Sequence, residues 1–501
     1  VGKKIMMNVN DSTNRLPSAL YRAEQVRAMD RFAIDTLGIP GIDLMERAGK
    51  AAFRILTAQW PGIQRLAVLC GAGNNGGDGY ILARLARESG LDVRACSLAP
   101  IERLRGDALT ACRSWQASGG AILEYGGNRF EEVDLVVDAL LGTGLDRPVS
   151  GQYAAAIEAV NRFHGPVLAL DIPSGLHADT GRRLGNAVEA DGTVTFIGLK
   201  QGLFTGEGPD CSGTISFSSL GVPPEVQRSE QPSALLSTRS GAVFPPRRRS
   251  AHKGHFGHVL VIGGDAGFSG AARLAAEAAA RVGAGLVSVA TRAAHAALIN
   301  LTRPELMSHG IETAKDLDAL RRRASVLAVG PGLGQSPWAV DLFEAVCKYD
   351  LPIVVDADAL NLLAKMPACR NDWILTPHPG EAARLLQTGV AEIQRDRFAA
   401  VKALQARYGG VCVLKGAGSL ICDEAAITVN ITGNPGMASG GMGDVLSGIV
   451  AGLIAQGLDP ADAARAAVAL HGAAADRAAT DGERGMLAGD LMHHLRALVN
   501  R

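Results

Sequence analysis

The 501-residue chain carries 50 basic and 50 acidic side chains, so no whole-chain field draws it to nucleic acid or to an acidic membrane surface. At about 100 to 200 residues per domain, its length exceeds what one ordinary core supports and predicts two domains. Its eight cysteines lack C-x-x-C spacing and sit mostly in apolar runs such as "AVLC" and "VCVL", which argues against a disulfide framework and for buried, reduced thiols.

The opening stretch "VGKKIMMNVNDSTNRLPSAL" has neither a long apolar core nor a small-residue cleavage pattern, so a soluble cytoplasmic enzyme is expected. The first strong strand signal is "RLAVLC" at 65–70, followed at once by "GAGNNGGDGY". Gly71, Gly73 and Gly76 fit a dinucleotide-binding turn, with a helix expected near Tyr80 to add its positive end. Two features oppose a redox role for that dinucleotide. Asp78 stands inside the phosphate cradle, and the next strand, "DVRACSL", has no acidic residue at its far end to hold a ribose. "VVDALLGTGLDRP" and "LALDIPSG" are two further strand-to-loop junctions. In open α/β sheets ligands bind beyond the carboxyl ends of the strands, so the three loops are expected to converge on one site. Asn75, Asp138 and Ser174 offer hard oxygen donors from all three, suited to a group I or II cation or, equally, to capping turns. Asp171, ending "VLALD", is the candidate general base or acid.

From Gly221 to Lys253 the chain loses its apolar period and carries five prolines. A boundary is expected near residue 232, giving domains 1–231 and 232–501, with "RRR" at 247–249 read as solvated linker. Beyond it, apolar runs such as "HVLVIGGD", "VLAVGPGLG", "LPIVVDADAL", "WILTPHPGE" and "VCVLKGAGS" alternate with Ala-rich helical segments. Both halves therefore predict α/β domains with largely parallel sheets. "NPGMASGGMGDVLSG" places glycines 440, 441 and 443 and Asp444 at the start of an apolar helix. Such a helix start stabilises charge on a transferring phosphoryl group while the carboxylate takes a proton from the accepting hydroxyl. The apolar stretch after Asp444 is shorter than the roughly 18 to 20 residues of a membrane span and predicts a buried helix. Lys415–Ser419 offers backbone amides and a cation to a nucleotide. His378 and Glu381 read as site or turn residues, and Asp356 and Asp358 as magnesium ligands or structural acceptors, outside the candidate site.

Four motifs of the first half, "LYRAEQVRAMDRFAIDTLGIPGIDLMERAG", "GAGNNGGDGY", "VVDALLGTGLDRP" and "LALDIPSGL", in this order, resemble the NAD(P)HX epimerase family. The resemblance implies a Rossmann-like, three-layer αβα domain whose bound dinucleotide is a substrate, NADH or NADPH damaged by hydration of the nicotinamide ring. It further implies that Asn74, Asn75, Gly76, Gly77 and Asp78, with Gly142, Thr143, Gly144, Leu145, Asp146, Arg147 and Pro148, contact this substrate. Asp171 then lies at the reacting ring, and Asn75, Asp138 and Ser174 hold potassium.

The second half resembles the ADP-dependent NAD(P)HX dehydratase family through "NPGMASGGMGDVLSG", "LTPHPGE" and "KGAG". That resemblance implies a ribokinase-like domain which phosphorylates the hydroxyl of the hydrated ring from ADP with Mg2+ and then eliminates it. Asp444 would be the base. Gly443 with Lys415, Gly416, Ala417, Gly418 and Ser419 would touch ADP, while Ala271, Gly332, His378 and Asp444 would touch the hydrated dinucleotide. The expected whole is a bifunctional repair enzyme acting on small molecules, with no nucleic acid or membrane partner and with assembly of identical subunits left open. The rival expectation is a vitamin-precursor type of kinase fused to a dinucleotide-binding or protein-binding module.

Overall fold

The structure, a computed structural model, describes residues 7–8, 16–127, 130–237 and 244–500. The chain divides into two compact units, Val1–Thr238 and Arg239–Arg501.

The first unit is built on an eight-stranded sheet ordered Met7–Asn8, Thr214–Ser218, Gly192–Phe196, Val167–Leu170, Leu135–Ala139, Arg65–Cys70, Asp92–Ser97, Ile122–Glu124. Every pairing in it is parallel. The central strands are buried along nearly their whole length, as continuous apolar runs between two helical layers require. From Arg65–Cys70 the chain first builds outward in one direction and then, from Leu135–Ala139, in the other. The strand order therefore reverses between these two, and the loops after them part to open a crevice.

The helix expected near Tyr80 begins at Asn74 and runs to Glu88. Gly76 and Gly77 are consequently helical and serve packing: an added Cβ would lie 2.1 Å from the Gly71 carbonyl oxygen at Gly76, and 2.5 Å from Met45 Sδ at Gly77. Glycine disfavours a helix interior by about 1 kcal/mol relative to alanine, a cost accepted here because no larger residue fits.

The division between units falls after Thr238 rather than at residue 232. Strand Ala234–Leu236 pairs antiparallel with Ala19–Tyr21, which pairs in turn with Leu199–Lys200. Separately expressed 1–238 and 239–501 are expected to melt cooperatively, each on its own core. Ending the first piece at 231 removes a strand and should lower its melting temperature, by about 2–4 °C per kcal/mol lost. An unfolded 1–238 or 239–501 fragment would contradict two independent cores.

In the second unit the sheet runs Met307–Gly310, Leu286–Thr291, His258–Ile262, Val326–Val329, Ile353–Val355, Trp373–Leu375, Val411–Leu414, Leu420–Cys422, Ile427–Val429. It is parallel up to Val411–Leu414 and antiparallel through the last two strands. Helices Ser269–Arg281, Met442–Ala455 and Pro460–Ala478 contribute to one apolar cluster with this sheet. Val445 to Ala455 are buried without interruption, as their composition predicts, and among the described residues no helix is long and apolar enough to cross a membrane. Arg247 of the basic triplet is bound within this unit, donating to the Gly283 carbonyl at 2.6 Å and lying over the Phe256 ring. All eight cysteines are free thiols, six of them buried.

Candidate active sites

The crevice of the first unit is a cavity of about 730 Å³. Asn74, Asn75, Asp78, Gly142 to Pro148 and Asp171 line it, together with Asp30 and Lys200, which the motifs did not single out. Gly76 and Gly77 do not line it, for the packing reason above. Asp171 follows strand Val167–Leu170 and holds φ at +62°, a left-handed conformation that costs a non-glycine residue on the order of 1–3 kcal/mol and is tolerated where the surroundings enforce it. The enforcement is visible. Its amide donates to the Val194 carbonyl at 2.7 Å, and its carboxylate pairs with the Lys200 ammonium.

Lys200 is 1% exposed, so its ammonium must find its partners inside the fold. Besides Asp171, it donates to Thr195 Oγ1 at 3.1 Å and the Phe196 carbonyl at 3.0 Å. Two more carboxyls face this pair. Burial, with the nearby Asp171 charge adding to it against the opposing effect of Lys200, pushes Asp30 up to about 6. Burial, then Asp171 and Asp30, push Asp78 well above the ordinary carboxylate range.

Behind the cavity wall, Asp138 and Ser174 meet. Ser174 Oγ donates to Asp138 Oδ1 at 2.6 Å, the Ser174 amide to Oδ2 at 2.8 Å, and the Leu140 amide to Oδ1 at 3.2 Å. Asn75 turns its amide nitrogen to the Leu141 carbonyl at 3.0 Å. Its Oδ1 is buried with no hydrogen-bond partner among the described residues. Burial pushes the fully enclosed Asp138 carboxyl up to about 6. A buried carboxylate with no ion pair among the described residues, together with an orphaned amide oxygen and a hydroxyl, is a donor set that fits a hard monovalent cation.

In the second unit the focus is Lys415, at the end of strand Val411–Leu414. Its ammonium donates to Asp356 Oδ1 at 2.8 Å and lies 3.8 Å from Glu381 Oε2. Asp356 is 1% exposed, and its other oxygen accepts from Ser447 Oγ at 2.7 Å. Burial alone would raise this carboxyl, but Lys415 and the hydrogen bonds hold it below its ordinary range. Asp444, in the first turn of helix Met442–Ala455, is pushed up to about 7 by burial and then by the Asp356 charge, with Lys415 opposing. Gly443 admits the approach: a Cβ there would lie 3.1 Å from Lys415 Nζ. His378 caps helix Pro379–Leu386 and lies 3.4 Å from Glu381 Oε1. Burial and the Lys415 charge lower its pKa, whereas burial lifts Glu381 to about 7. Within Lys415–Ser419, Ser419 Oγ accepts from the Gly416 amide at 3.2 Å, shaping the turn. Gly332 and Ala271 are neighbours, since a Cβ on Gly332 would sit 3.1 Å from that of Ala271. Leu274, on the same helix as Ala271, reaches within 2.7 Å of a Cβ placed on Gly441.

The two halves of the chain match one group of proteins. Residues 41–202 fit the family described as YjeF-related protein N-terminus, and 259–497 the family described as NAD(P)H-hydrate dehydratase. The bifunctional NAD(P)H-hydrate repair enzyme Nnr of Coxiella burnetii is 51% identical over 96% of this chain and 100% of its own. The enzyme of that name from Escherichia coli is 45% identical over 97% and 95%. The chain belongs to the bifunctional NAD(P)H-hydrate repair enzymes. A solved ADP/ATP-dependent NAD(P)H-hydrate dehydratase from Bacillus subtilis, co-crystallised with ATP/Mg2+, is 34% identical, with a TM-score of 0.47, covering 51% of this chain and 93% of that one.

For a repair enzyme of this family, the residues missed by motif reading are informative. Asp30 carried a signal: it stands on the apolar stripe Ala23, Val26, Asp30, Ala33 of an N-terminal helix. A carboxylate there faces a core or a site. Lys200 interrupts the apolar run "TFIGLKQGLF", another charge where burial is expected. Asp356, which the sequence offers as a magnesium ligand or a structural acceptor, accepts from Lys415 and Ser447. Asp358 likewise accepts from the Gly334 amide at 2.9 Å. Among the described residues no group of three or more His, Cys, Asp or Glu side chains is placed to hold a metal ion.

Proposed function

We propose that the first unit interconverts the two epimers of hydrated NADH and NADPH and that the second dehydrates one of them with ADP as phosphoryl donor. The dihydronicotinamide ring is an enamine. Water adds with its proton on C5 and its hydroxyl on C6, beside the ring nitrogen, which makes C6 a stereocentre. Repair must then reverse the addition in a chiral pocket. The observation that carries the reading is the presence on one chain of two separate carboxyl centres, Asp171 in the cavity of the first unit and Asp444 at the glycine-flanked helix start of the second.

At the second site Asp444 takes the proton from the C6 hydroxyl as its oxygen attacks the terminal phosphorus of ADP. The backbone amides near Gly443 and the Lys415–Ser419 turn bind the phosphate charge as it transfers. Phosphate is a far better leaving group than hydroxide. It departs with the C6–O electron pair, the ring nitrogen supplies electrons, and loss of the C5 proton restores the double bond. The products are NAD(P)H, phosphate and AMP. Ala271, Gly332 and His378 are assigned to the dinucleotide. Mg2+ would be held mainly by the nucleotide phosphates, where it would offset their charge.

Potassium is assigned to Asn75, Asp138 and Ser174, where it would neutralise the buried carboxylate and tie the three loops together. Replacing potassium by a large organic cation should therefore weaken epimerisation several-fold more than dehydration. Equal loss in both activities, or none in either, would make these residues turn caps only. The function itself is tested by supplying hydrated NADH and following reduced-nicotinamide absorbance: recovery is expected with ADP and none without nucleotide. Recovery independent of nucleotide would overturn the dehydratase assignment.

A further inference from the structure

Opening the hydrated ring is the direct route to inversion at C6, because the ring nitrogen and the hydroxyl share that carbon. It needs a base at the hydroxyl and an acid at the nitrogen at the same time. We propose that Asp78 is the acid that complements Asp171 as base in the cavity of the first unit. Asp171 takes the hydroxyl proton, the C6–O bond becomes a carbonyl, and the C6–N1 pair leaves to N1, which takes the Asp78 proton. Rotation about C5–C6 presents the other face of the aldehyde. Reclosure then returns both protons to their starting carboxyls, so no co-reactant is consumed. The proposal rests on reading the first unit as the epimerase.

Three observations support it. Asp78 and Asp171 line the same cavity from different elements, helix Asn74–Glu88 and the loop after Val167–Leu170. The Asp171 carboxylate is paired with the Lys200 ammonium, whereas the Asp78 side chain has no hydrogen-bond partner among the described residues, leaving its carboxyl for a ligand. Asp171, Asp30 and Lys200 act on its charge, and the other charged groups lining the cavity are Arg27 of helix Ala23–Arg31, Asp107 of helix Gly106–Ala117, and Asp146 and Arg147 of the loop after Leu135–Ala139. Burial, and then the neighbouring Asp171 and Asp30, raise the Asp78 carboxyl well above its ordinary range, which favours its protonated form. Asp30 is raised less, to about 6, and is the poorer donor. Lys200 acts through Asp171 and is a positioning residue.

Epimerisation is measured by chiral separation across pH on the full-length protein. Wild type should show an alkaline limb, where the acid is lost. Asp78→Asn, which copies the neutral acid in shape, should keep KM and its melting temperature while kcat falls about 10²- to 10⁴-fold and the alkaline limb disappears; Asp78→Glu should restore both. Unchanged kcat, a change in KM alone, or transfer of the effect to Asp30→Asn would overturn the assignment. Should Asp78→Asn not fold, a wild-type profile without an alkaline limb overturns it as well. Wild type that does not epimerise at all refutes the epimerase reading itself, a result distinct from all of these.

Discussion

Asp444→Asn is expected to abolish dehydration and leave epimerisation at the wild-type rate. The substitution preserves size and removes the base, a loss worth about 10²- to 10⁴-fold in kcat. Stability should move the other way. In the fold Asp444 holds its proton up to about 7, above the ordinary carboxylate value, so the folded state binds protons that the unfolded state releases. Its ionisation therefore destabilises the fold as pH rises from the ordinary carboxylate range through 7. The asparagine variant lacks that penalty and should melt no lower than wild type above pH 7. The same titration predicts that wild-type dehydration rises with pH through about 7. Retained ADP-dependent turnover in Asp444→Asn would remove Asp444 from the mechanism, and a collapsed melt would make the loss structural.

Asp171→Asn is expected to convert one epimer quickly and stall on the rest, apart from slow spontaneous exchange. A chiral dehydratase pocket accepts one configuration at C6, so a disabled first unit leaves the other configuration stranded. Epimerisation should fall by about 10²- to 10⁴-fold, with dehydration of the accepted epimer unchanged. The variant also deprives the buried Lys200 ammonium of its counter-charge. Breaking a fully buried pair costs about 3–5 kcal/mol; here Asp171 is 18% exposed and Lys200 keeps Thr195 and Phe196 as acceptors, so the loss should be smaller. Adding separately expressed, intact residues 1–238 should release the stall. Consumption of both epimers at the wild-type rate would mean that Asp171 is not catalytic or that the first unit is not an epimerase.

The strand framework and both carboxyl centres were legible because their signals are local. An apolar run ending in Asp171 or preceding "GAGNNGGDG" announces a strand end, and glycines around Asp444 announce a helix start. The convergence of Asp138, in strand Leu135–Ala139, with Ser174, in the loop after Val167–Leu170, followed from the same rule. What stayed hidden depends on distance along the chain. Lys200 is paired with Asp171 across a span that no spacing rule covers, and Lys415 finds Asp356, after strand Ile353–Val355, and Glu381, on helix Pro379–Leu386. Gly76 and Gly77 misled in an instructive way. Glycine next to a strand suggests an anion cradle, yet here it marks where the helix backbone presses on Gly71 and Met45. The strand Ala234–Leu236 past residue 232 carries no local signal, because three residues are too few to show a strand's alternation.

The most direct test gives wild-type protein a mixture of both epimers of hydrated NADH with excess ADP and follows reduced-nicotinamide absorbance to completion, with chiral separation of whatever remains. Two cooperating sites on one chain predict full recovery at a rate far above spontaneous exchange, with no epimer left over. Recovery that stops when one epimer is exhausted, leaving the other untouched, would contradict the account.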